Sequence, residues 1–248
     1  MISHNITKTN QAIRELIERT ENPRHRFLLM AYDQHRNLEM AGRYEELFTP
    51  DMMVQRPVYH LHANGLRVKL TDQEEIKDLY RVWAETNQSV YYTESESVTV
   101  SDHFVTSMVV GYHQMSGRSL IENKILSYLP AVIARFLLNQ SFSRKISNND
   151  ESSTHSMYLY KNTFFMVWPY DEYGRLLGEN IWEPEPANAE ITKLAPGEVL
   201  TTREAGRLLA PLIKPLPSFE EMLSGSAAGA SEHVARSTFR RSALSLRT

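Results

Sequence analysis

The sequence predicts an α+β fold, in which helices pack on one face of an antiparallel sheet. Apolar residues recur at helical spacing through the first 42 residues, whereas residues 52–114 and 158–182 are rich in β-branched and aromatic side chains. Asn64-Gly65 stands between two such β-rich runs, as a tight hairpin turn requires. Helices followed by antiparallel hairpins are therefore the expected architecture.

Two helices are predicted at the start of the chain. The first covers residues 7–20 and ends before Asn22-Pro23, because a residue that precedes proline disfavours helical geometry. The second presents a broad apolar face from Phe27 to Gly42. The chain then runs to a turn at Thr49-Pro50-Asp51, where the first strand is expected to begin.

A short hairpin and a third helix should follow. Met52 to His62 and Leu66 to Leu70 form the predicted strands, joined by a type I′ turn at Asn64-Gly65. Thr71 with Glu74 three residues later resembles a capping box, so a helix is expected to start there and to continue through Trp83.

Two longer hairpins complete the predicted sheet. Residues 89–114 read as an antiparallel pair with a turn near Ser101-Asp102-His103. Residues 158–168 form the next strand, which returns through the turn at 171–174 to residues 175–182.

Two segments extend beyond this pattern. Ile125 to Phe142 is predicted to be an apolar inserted helix, followed by a polar loop from Ser143 to Thr154. The helix would roof a pocket, fill a subunit interface or pack in the core. Near the C-terminus, Thr201 and Glu204 predict a capped helix that packs as an arm on the core or on a neighbouring subunit. The predicted organisation is an N-terminal helix (1–20), a core domain (21–190) with the insertion at 124–154, a C-terminal arm (191–223) and a flexible tail (224–248).

Composition narrows the range of functions. The chain has no cysteine, which excludes thiolate nucleophiles and cysteine-based metal sites, and it contains no phosphate-cradling or nucleotide-binding motif, so no cofactor is expected. A net charge of -3 argues against nucleic-acid binding. No apolar run is long enough to span a membrane and no secretory signal is apparent, so a cytoplasmic location is expected. His60 and His62 face the same way on a strand, but no third ligand stands at motif spacing, and no metal site is predicted.

Two segments resemble the nuclear transport factor 2-like superfamily, and in particular its SnoaL-like members. They are Arg43-Tyr44-Glu45-Glu46-Leu47-Phe48-Thr49-Pro50-Asp51 and the hairpin from Trp168 to Glu183, with its Asp-Glu-x-Gly-Arg turn. In order and spacing the likeness covers roughly residues 24–186. It implies a cone-shaped, curved antiparallel sheet wrapped around helices, with one deep pocket.

A second similarity singles out a histidine. Val109-Val110-Gly111-Tyr112-His113-Gln114 is similar to the strand that supplies a catalytic histidine in scytalone dehydratase, of the same superfamily. The helical Tyr-Asp pair of that enzyme has a counterpart in Tyr32-Asp33, whereas Asn87 to Thr93 contains no second histidine. The resemblance implies His113, Asp33 and Tyr32 as candidate catalytic residues.

Residue chemistry supports these candidates and also offers simpler interpretations. Strand alternation places Val109, Gly111 and His113 on one face, with open space beside the imidazole, where His113 would act as acid or base or serve as a hydrogen-bonded core residue. Tyr32 and His35 share a helix face, whereas Asp33 lies to the side, as a buried acid–base partner or as part of a solvated surface.

Aromatic residues of the last hairpin are the candidate substrate-binding wall. Tyr160, Phe164 and Trp168 share one face of their strand, and together with His35 and Trp182 they are the predicted contacts to a ligand. Glu179 and Glu183 have the opposite parity to Trp182, so their carboxylates are expected to point away from the pocket.

The sequence thus favours a cofactor-free lyase (dehydratase) or isomerase/cyclase that acts by acid–base catalysis on a mostly apolar, ring-bearing small molecule, and that forms a homodimer. A non-catalytic ligand-binding or assembly protein of the same fold is the main alternative. A structural small subunit of a ring-hydroxylating dioxygenase is a third.

Overall fold

The structure of the protein is a computed structural model that describes residues 4–127 and 156–224. Its helices of eight or more residues with described bounds are α1 (Gln11–Arg19), α2 (Pro23–Met40), α3 (Gln73–Glu85), α4 (Gly117–Ser127) and α5 (Thr202–Leu209). Its strands are β1 (Met53–Ala63), β2 (Leu66–Leu70), β3 (Tyr91–Val100), β4 (Phe104–Ser116), β5 (Met157–Pro169), β6 (Leu176–Trp182) and β7 (Glu190–Lys193). The predicted α+β class is confirmed.

The strands form one curved sheet in the order β2-β1-β6-β5-β4-β3, and β7 pairs with β5. Neighbours are antiparallel except β1 and β6, which run parallel. Within the described part of the chain the end strands β2 and β3 do not pair with each other, so the sheet is not closed into a barrel. Neither the parallel pair nor β7 was predicted.

Local sequence explains where the elements begin and turn. Asn22 caps α2 by accepting a hydrogen bond from the His25 amide, and Pro23 occupies the first helical turn, where no amide donor is needed. Asn64 and Gly65 have φ values of 53° and 77°, as the predicted type I′ turn requires. The predicted cap of α3 was wrong by one residue: Asp72, rather than Thr71, accepts the amides of Glu74 and Glu75.

Helix α2 lies against the inner face of the sheet and provides the centre of the core. Leu28, Leu29 and Leu38 are buried on this helix, with α1 and α3 at its sides. On the opposite, outer face of the sheet, Met108, Phe165 and Trp182 are paired across β4, β5 and β6 and stay exposed. The two faces of the sheet are therefore clearly distinguished.

The C-terminal arm packs on the core of its own chain. Thr201 and Glu204 form the predicted capping box at the start of α5, and Leu209 is fully buried. Farther along, the ring of Phe219 meets Phe27 edge to face at 5.0 Å. The inserted helix predicted for 125–142 lies outside the described residues, apart from the three that end α4, as do the loop 143–154 and nearly all of the tail.

Candidate functional site

A cavity of about 100 Å³ lies between α2, α3 and the inner face of the sheet. Its volume is of the same order as, but smaller than, that of an apolar cavity of about 150 Å³ that binds benzene. Much of its wall is apolar, formed by Leu61, Trp83, Val109, Phe164, Met166 and Trp168. Such a wall with a few polar groups is typical of small-molecule sites.

Two carboxyl groups line this cavity together. Glu39 projects from the last turn of α2, and Glu179 comes from β6. Burial and the neighbouring Glu179 carboxylate raise the pKa of Glu39 well above its usual range, while Arg36 acts in the opposite direction. Glu39 is thereby suited to hold a proton at a pH where an exposed glutamate is ionised.

Glu179 is held in place by neighbours from two helices. Tyr80 of α3 donates a hydrogen bond of 2.7 Å to Glu179 Oε1. Nε2 of His35 lies 3.1 Å from the same oxygen and 3.0 Å from the Tyr80 hydroxyl. Because the Tyr80 proton goes to Glu179, His35 carries hydrogen on Nε2 and donates it to this pair. The Glu179 carboxylate is therefore firmly positioned.

Arg36 also lines the cavity, but its charge is largely compensated. Its Nη1 lies 2.6 Å from Oε1 of Glu96, and its guanidinium lies 5.3 Å from the ring centre of Tyr32 and 5.4 Å from that of Tyr91. Nη2 contacts the Thr93 hydroxyl at 3.3 Å. Arg36 and Glu39 are three residues apart on α2, and this helical spacing brings both side chains to the same cavity.

His113 lines the cavity on another side, with both ring nitrogens engaged. Nε2 lies 2.8 Å from the Gln88 carbonyl oxygen, and Nδ1 lies 2.7 Å from Nδ2 of Asn64. A carbonyl oxygen only accepts, so Nε2 carries the proton and Nδ1 accepts from Asn64. Burial lowers the pKa of His113, and His113 is therefore a neutral, fully bonded wall residue.

Two polar atoms at the cavity have no hydrogen-bond partner among the described residues. They are Nε1 of Trp168, whose side chain is 98% buried, and Oδ1 of Asn64. A buried donor or acceptor without a partner costs about 1–3 kcal/mol.

The predicted residues of α2 surround the cavity without lining it. Tyr32 is fully buried, 2.9 Å from the Ser107 hydroxyl, and His35 supports Glu179 as described. Asp33 faces α1, where it accepts from Asn10 at 2.8 Å and lies 3.5 Å from Arg14. Asp33 and His113 are thus not brought together in the structure.

The predicted aromatic wall is divided in the same way. Phe164 and Trp168 line the cavity. Tyr160 is buried beside it and donates to Glu183 at 2.5 Å, whereas Trp182 lies on the outer face and is 57% exposed. Gly111 lines the cavity together with His113, and a Cβ at this position would lie 3.3 Å from the Tyr92 carbonyl oxygen.

The parity predicted for β6 was the wrong way round. Glu179 and Glu183 are buried on the inner side, and Trp182 is exposed. The reason is the register of the sheet: Trp182 pairs with Phe165, which itself faces outward, whereas Ile181 pairs with Met166 of the cavity wall. Trp182, an apolar residue at the end of β6, was therefore a poor indicator of which face of the strand points inward.

Arg36 and Glu39 were not among the residues predicted for the site. Tyr32, Arg36 and Glu39 are spaced i, i+4 and i+7, which places them on one face of α2. Charged residues that interrupt an otherwise buried face of a helix were the available signal.

The histidine pair of β1 does not form part of this site. His62 is exposed, and Nδ1 of His60 contacts Oδ1 of Asn180 at 2.7 Å. Across residues 4–127 and 156–224, no group of three or more His, Asp or Glu side chains is arranged to hold a metal ion. The same residues contain no helix long and apolar enough to cross a membrane.

Comparison with known proteins gives a distant structural likeness. No protein-family model matches the chain, and no curated protein matches it in sequence. Among solved structures, the chain is similar to an NTF2-like protein from Anabaena variabilis ATCC 29413, with 8% identity and a TM-score of 0.37. The match covers 80% of this chain and 98% of that one.

Proposed function

We propose that this chain is an NTF2-like protein whose cavity binds a small, mostly apolar, ring-bearing molecule and catalyses a proton transfer on it without a cofactor. The reaction class is that of a lyase or an isomerase. The observation that carries the proposal is the pair of carboxyl groups, Glu39 and Glu179, at an otherwise largely apolar cavity. Paired carboxyl groups whose surroundings differ are a recurrent basis of acid–base catalysis.

The two carboxyl groups have different roles. Glu39 has its pKa raised by burial and by Glu179, so that it is suited to exchange a proton with the substrate. Glu179 accepts hydrogen bonds from Tyr80 and His35 and supplies the fixed negative charge beside Glu39. Phe164 and Trp168 hold the ring of the substrate.

His113 has a supporting role in this proposal. Both of its ring nitrogens are hydrogen-bonded to the protein, so it offers neither a free acceptor nor a free donor to a substrate. It fixes the Asn64 side chain at the rim of the cavity. This differs from the mechanism predicted from the sequence, in which His113 moves the proton and Asp33 assists it.

A general probe of a carboxylate base in an apolar cavity tests the proposal. In 5-nitrobenzisoxazole, removal of the C3 proton by a base breaks the N–O bond and releases the coloured 2-cyano-4-nitrophenolate, with no other reactant. We expect a saturable rate that rises with pH as Glu39 ionises. Glu39→Gln should lower kcat about 100-fold, the usual contribution of a positioned base.

Glu94→Gln is the matched control, because Glu94 is exposed at the outer surface, where it accepts a hydrogen bond from Tyr112. It should retain the activity of the unaltered protein. Equal rates in the Glu39→Gln and Glu94→Gln variants would refute the assignment of Glu39 as the base.

Non-catalytic ligand binding is the second candidate, and the closed hydrogen bonding of His113 favours it. It predicts that benzene-sized ligands raise the melting temperature while 5-nitrobenzisoxazole is converted no faster than in buffer.

A further inference from the structure

The buried groups around the cavity carry more negative than positive charge. Arg36 supplies one positive charge, and Glu39, Glu96 and Glu179 supply three negative charges when all are ionised. Arg36 is matched by Glu96, whose carboxylate lies 2.6 Å away. Glu39 is then left without a cationic partner among these groups, whereas Oε1 of Glu179 is contacted by the Tyr80 hydroxyl and by Nε2 of His35. Buried charges require a partner.

Aromatic side chains surround the same space. Trp83, Tyr91 and Trp168 all line the cavity together with Glu39 and Glu179. The faces of such rings are negatively polarised and attract organic cations, most strongly where water is excluded. Carboxylates and aromatic rings that converge on one cavity both favour a positively charged ligand.

Two residues of the cavity wall also carry a buried polar atom without a hydrogen-bond partner among the described residues. They are Trp168, at Nε1, and Asn64, at Oδ1. Buried polar atoms are usually paired, and a bound molecule with polar groups that reach these atoms would supply the missing partners.

A metal ion fits this site less well than an organic cation does. The described residues offer no group of three or more His, Asp or Glu side chains arranged around one point. Apart from polar residues such as Asn64 and Thr93, the remaining wall consists mostly of rings and aliphatic side chains such as Leu61 and Val109, which offer no metal ligands.

We propose that the cavity takes a ring-bearing organic amine in its protonated form, with the ammonium group between Glu39 and Glu179 and the ring against Trp83 and Trp168. This names the substrate class of the proposed enzyme and rests on the same cavity. The remaining polar atoms, on Trp168 and Asn64, orient further groups of the ligand.

Binding of the organic cation should release a proton from the cavity. The charged and titratable groups that act on Glu39 come from several elements around it: Arg36 of α2, Tyr59 of β1, Tyr80 of α3, Tyr91 of β3 and Glu179 of β6, which in turn contacts His35 of α2. In the empty cavity a proton on Glu39 offsets one negative charge. When the ammonium group arrives, the carboxyl group releases that proton to solvent and forms an ion pair with the amine.

Calorimetry with two small probes tests this exchange. Benzylamine and benzyl alcohol have the same ring, but only the amine is charged at pH 7. We expect benzylamine to bind at least about tenfold more tightly, as one charge-assisted pair provides. Titration in two buffers of different ionisation enthalpy should show protons released with benzylamine and none with benzyl alcohol.

Two variants test whether Glu39 is responsible for the preference for the amine and for the proton release. Glu39→Gln should remove both the preference for benzylamine and the proton release, and Glu94→Gln should keep both. Equal affinity for the two probes, or proton release that persists in Glu39→Gln, would overturn the proposal. A further measurement uses only the unaltered protein and so does not depend on whether a variant folds. The affinity for benzyltrimethylammonium, a permanent cation, should rise with pH as Glu39 ionises. An affinity that does not change with pH would also overturn the proposal.

The failure of this inference is distinguishable from that of the proposed function. 5-Nitrobenzisoxazole is neutral, so its conversion does not require an amine site. Conversion that depends on Glu39, without any preference for benzylamine, would leave the acid–base enzyme and remove only the amine as its substrate class.

Discussion

Nη1 of Arg36 lies 2.6 Å from Oε1 of Glu96, and both side chains are shielded from bulk solvent, with exposures of 2% and 0%. One joins the cavity wall from α2 and the other comes from β3, so the ion pair fixes the helix to the sheet beside the proposed site. Oε2 of Glu96 has no hydrogen-bond partner among the described residues. The charge of this carboxylate is therefore compensated through the contact of Oε1 with Arg36.

Removal of one partner of this pair should therefore be costly. We expect Glu96→Ala to lower the free energy of unfolding by about 3–5 kcal/mol, because an uncompensated guanidinium stays buried. Glu46→Ala is the control, since Glu46 pairs with Arg43 at the same distance of 2.6 Å but on the surface, where the loss should be below about 1 kcal/mol. Urea denaturation measures both, and similar losses would contradict the predicted contrast.

Glu39 should make stability depend on pH. Burial and Glu179 raise its folded pKa, so the folded state retains a proton that the unfolded chain has already lost. Its contribution is complete below the pKa of the unfolded glutamate, and it is lost as pH rises toward the folded pKa. We expect a fall of up to about 1.4 kcal/mol per pH unit in that window. Denaturant titrations should show this slope in the unaltered protein and not in Glu39→Gln.

His113 should remain a neutral histidine with its proton on Nε2. Its folded pKa is lowered by burial from 6.5, so below that pH the unfolded chain takes up the proton first, and stability contributed by His113 is lost as pH falls through the folded pKa. Long-range ¹H–¹⁵N spectra of histidine-labelled protein should show a protonated Nε2 and an accepting Nδ1 at pH 6.5. A doubly protonated ring at that pH would contradict the assignment.

Gly178 should tolerate no side chain. Its φ is 145°, and a Cβ would lie 1.9 Å from the Val58 carbonyl oxygen, where the register of β1 and β6 shifts. We expect Gly178→Ala to lower stability by more than about 3 kcal/mol, because two backbones would have to separate. In Gly197→Ala, where no atom lies within 4 Å of the added Cβ, the change should be small. Thermal unfolding of the two variants gives the comparison, and a small loss at Gly178 would show that the strands can separate at little cost.

Local signals predicted much of the secondary structure. The Asn64-Gly65 turn and the capping box at Thr201 are properties of a few neighbouring residues, and both are as expected. The cap of α3 was misplaced by one residue because Thr71 and Asp72 are both good caps, and sequence alone does not choose between them.

The site was predicted only in part. His113, Phe164 and Trp168 do line the cavity, because alternation along β4 and β5 grouped them with other inward-facing residues, whereas on β6 the inner face was wrongly assigned from Trp182. Arg36, Glu39 and Glu179 were missed, since whether a charged residue is solvated or buried depends on what packs over it. Asp33 illustrates the reverse, because the neighbour it meets is α1 and not the cavity.

The sequence by itself determined the α+β class, the order of the elements and the turns between them, because these follow from local propensities and periodicity. Only the tertiary structure decided the parallel pairing of β1 with β6 and the register of β6 on β5, in which Glu179 faces inward and Trp182 outward. It also decided that Glu39 and Glu179 share one cavity, since a contact between residues 140 positions apart depends on how α2 crosses the sheet. The charge balance on which the proposed chemistry rests is therefore a property of packing.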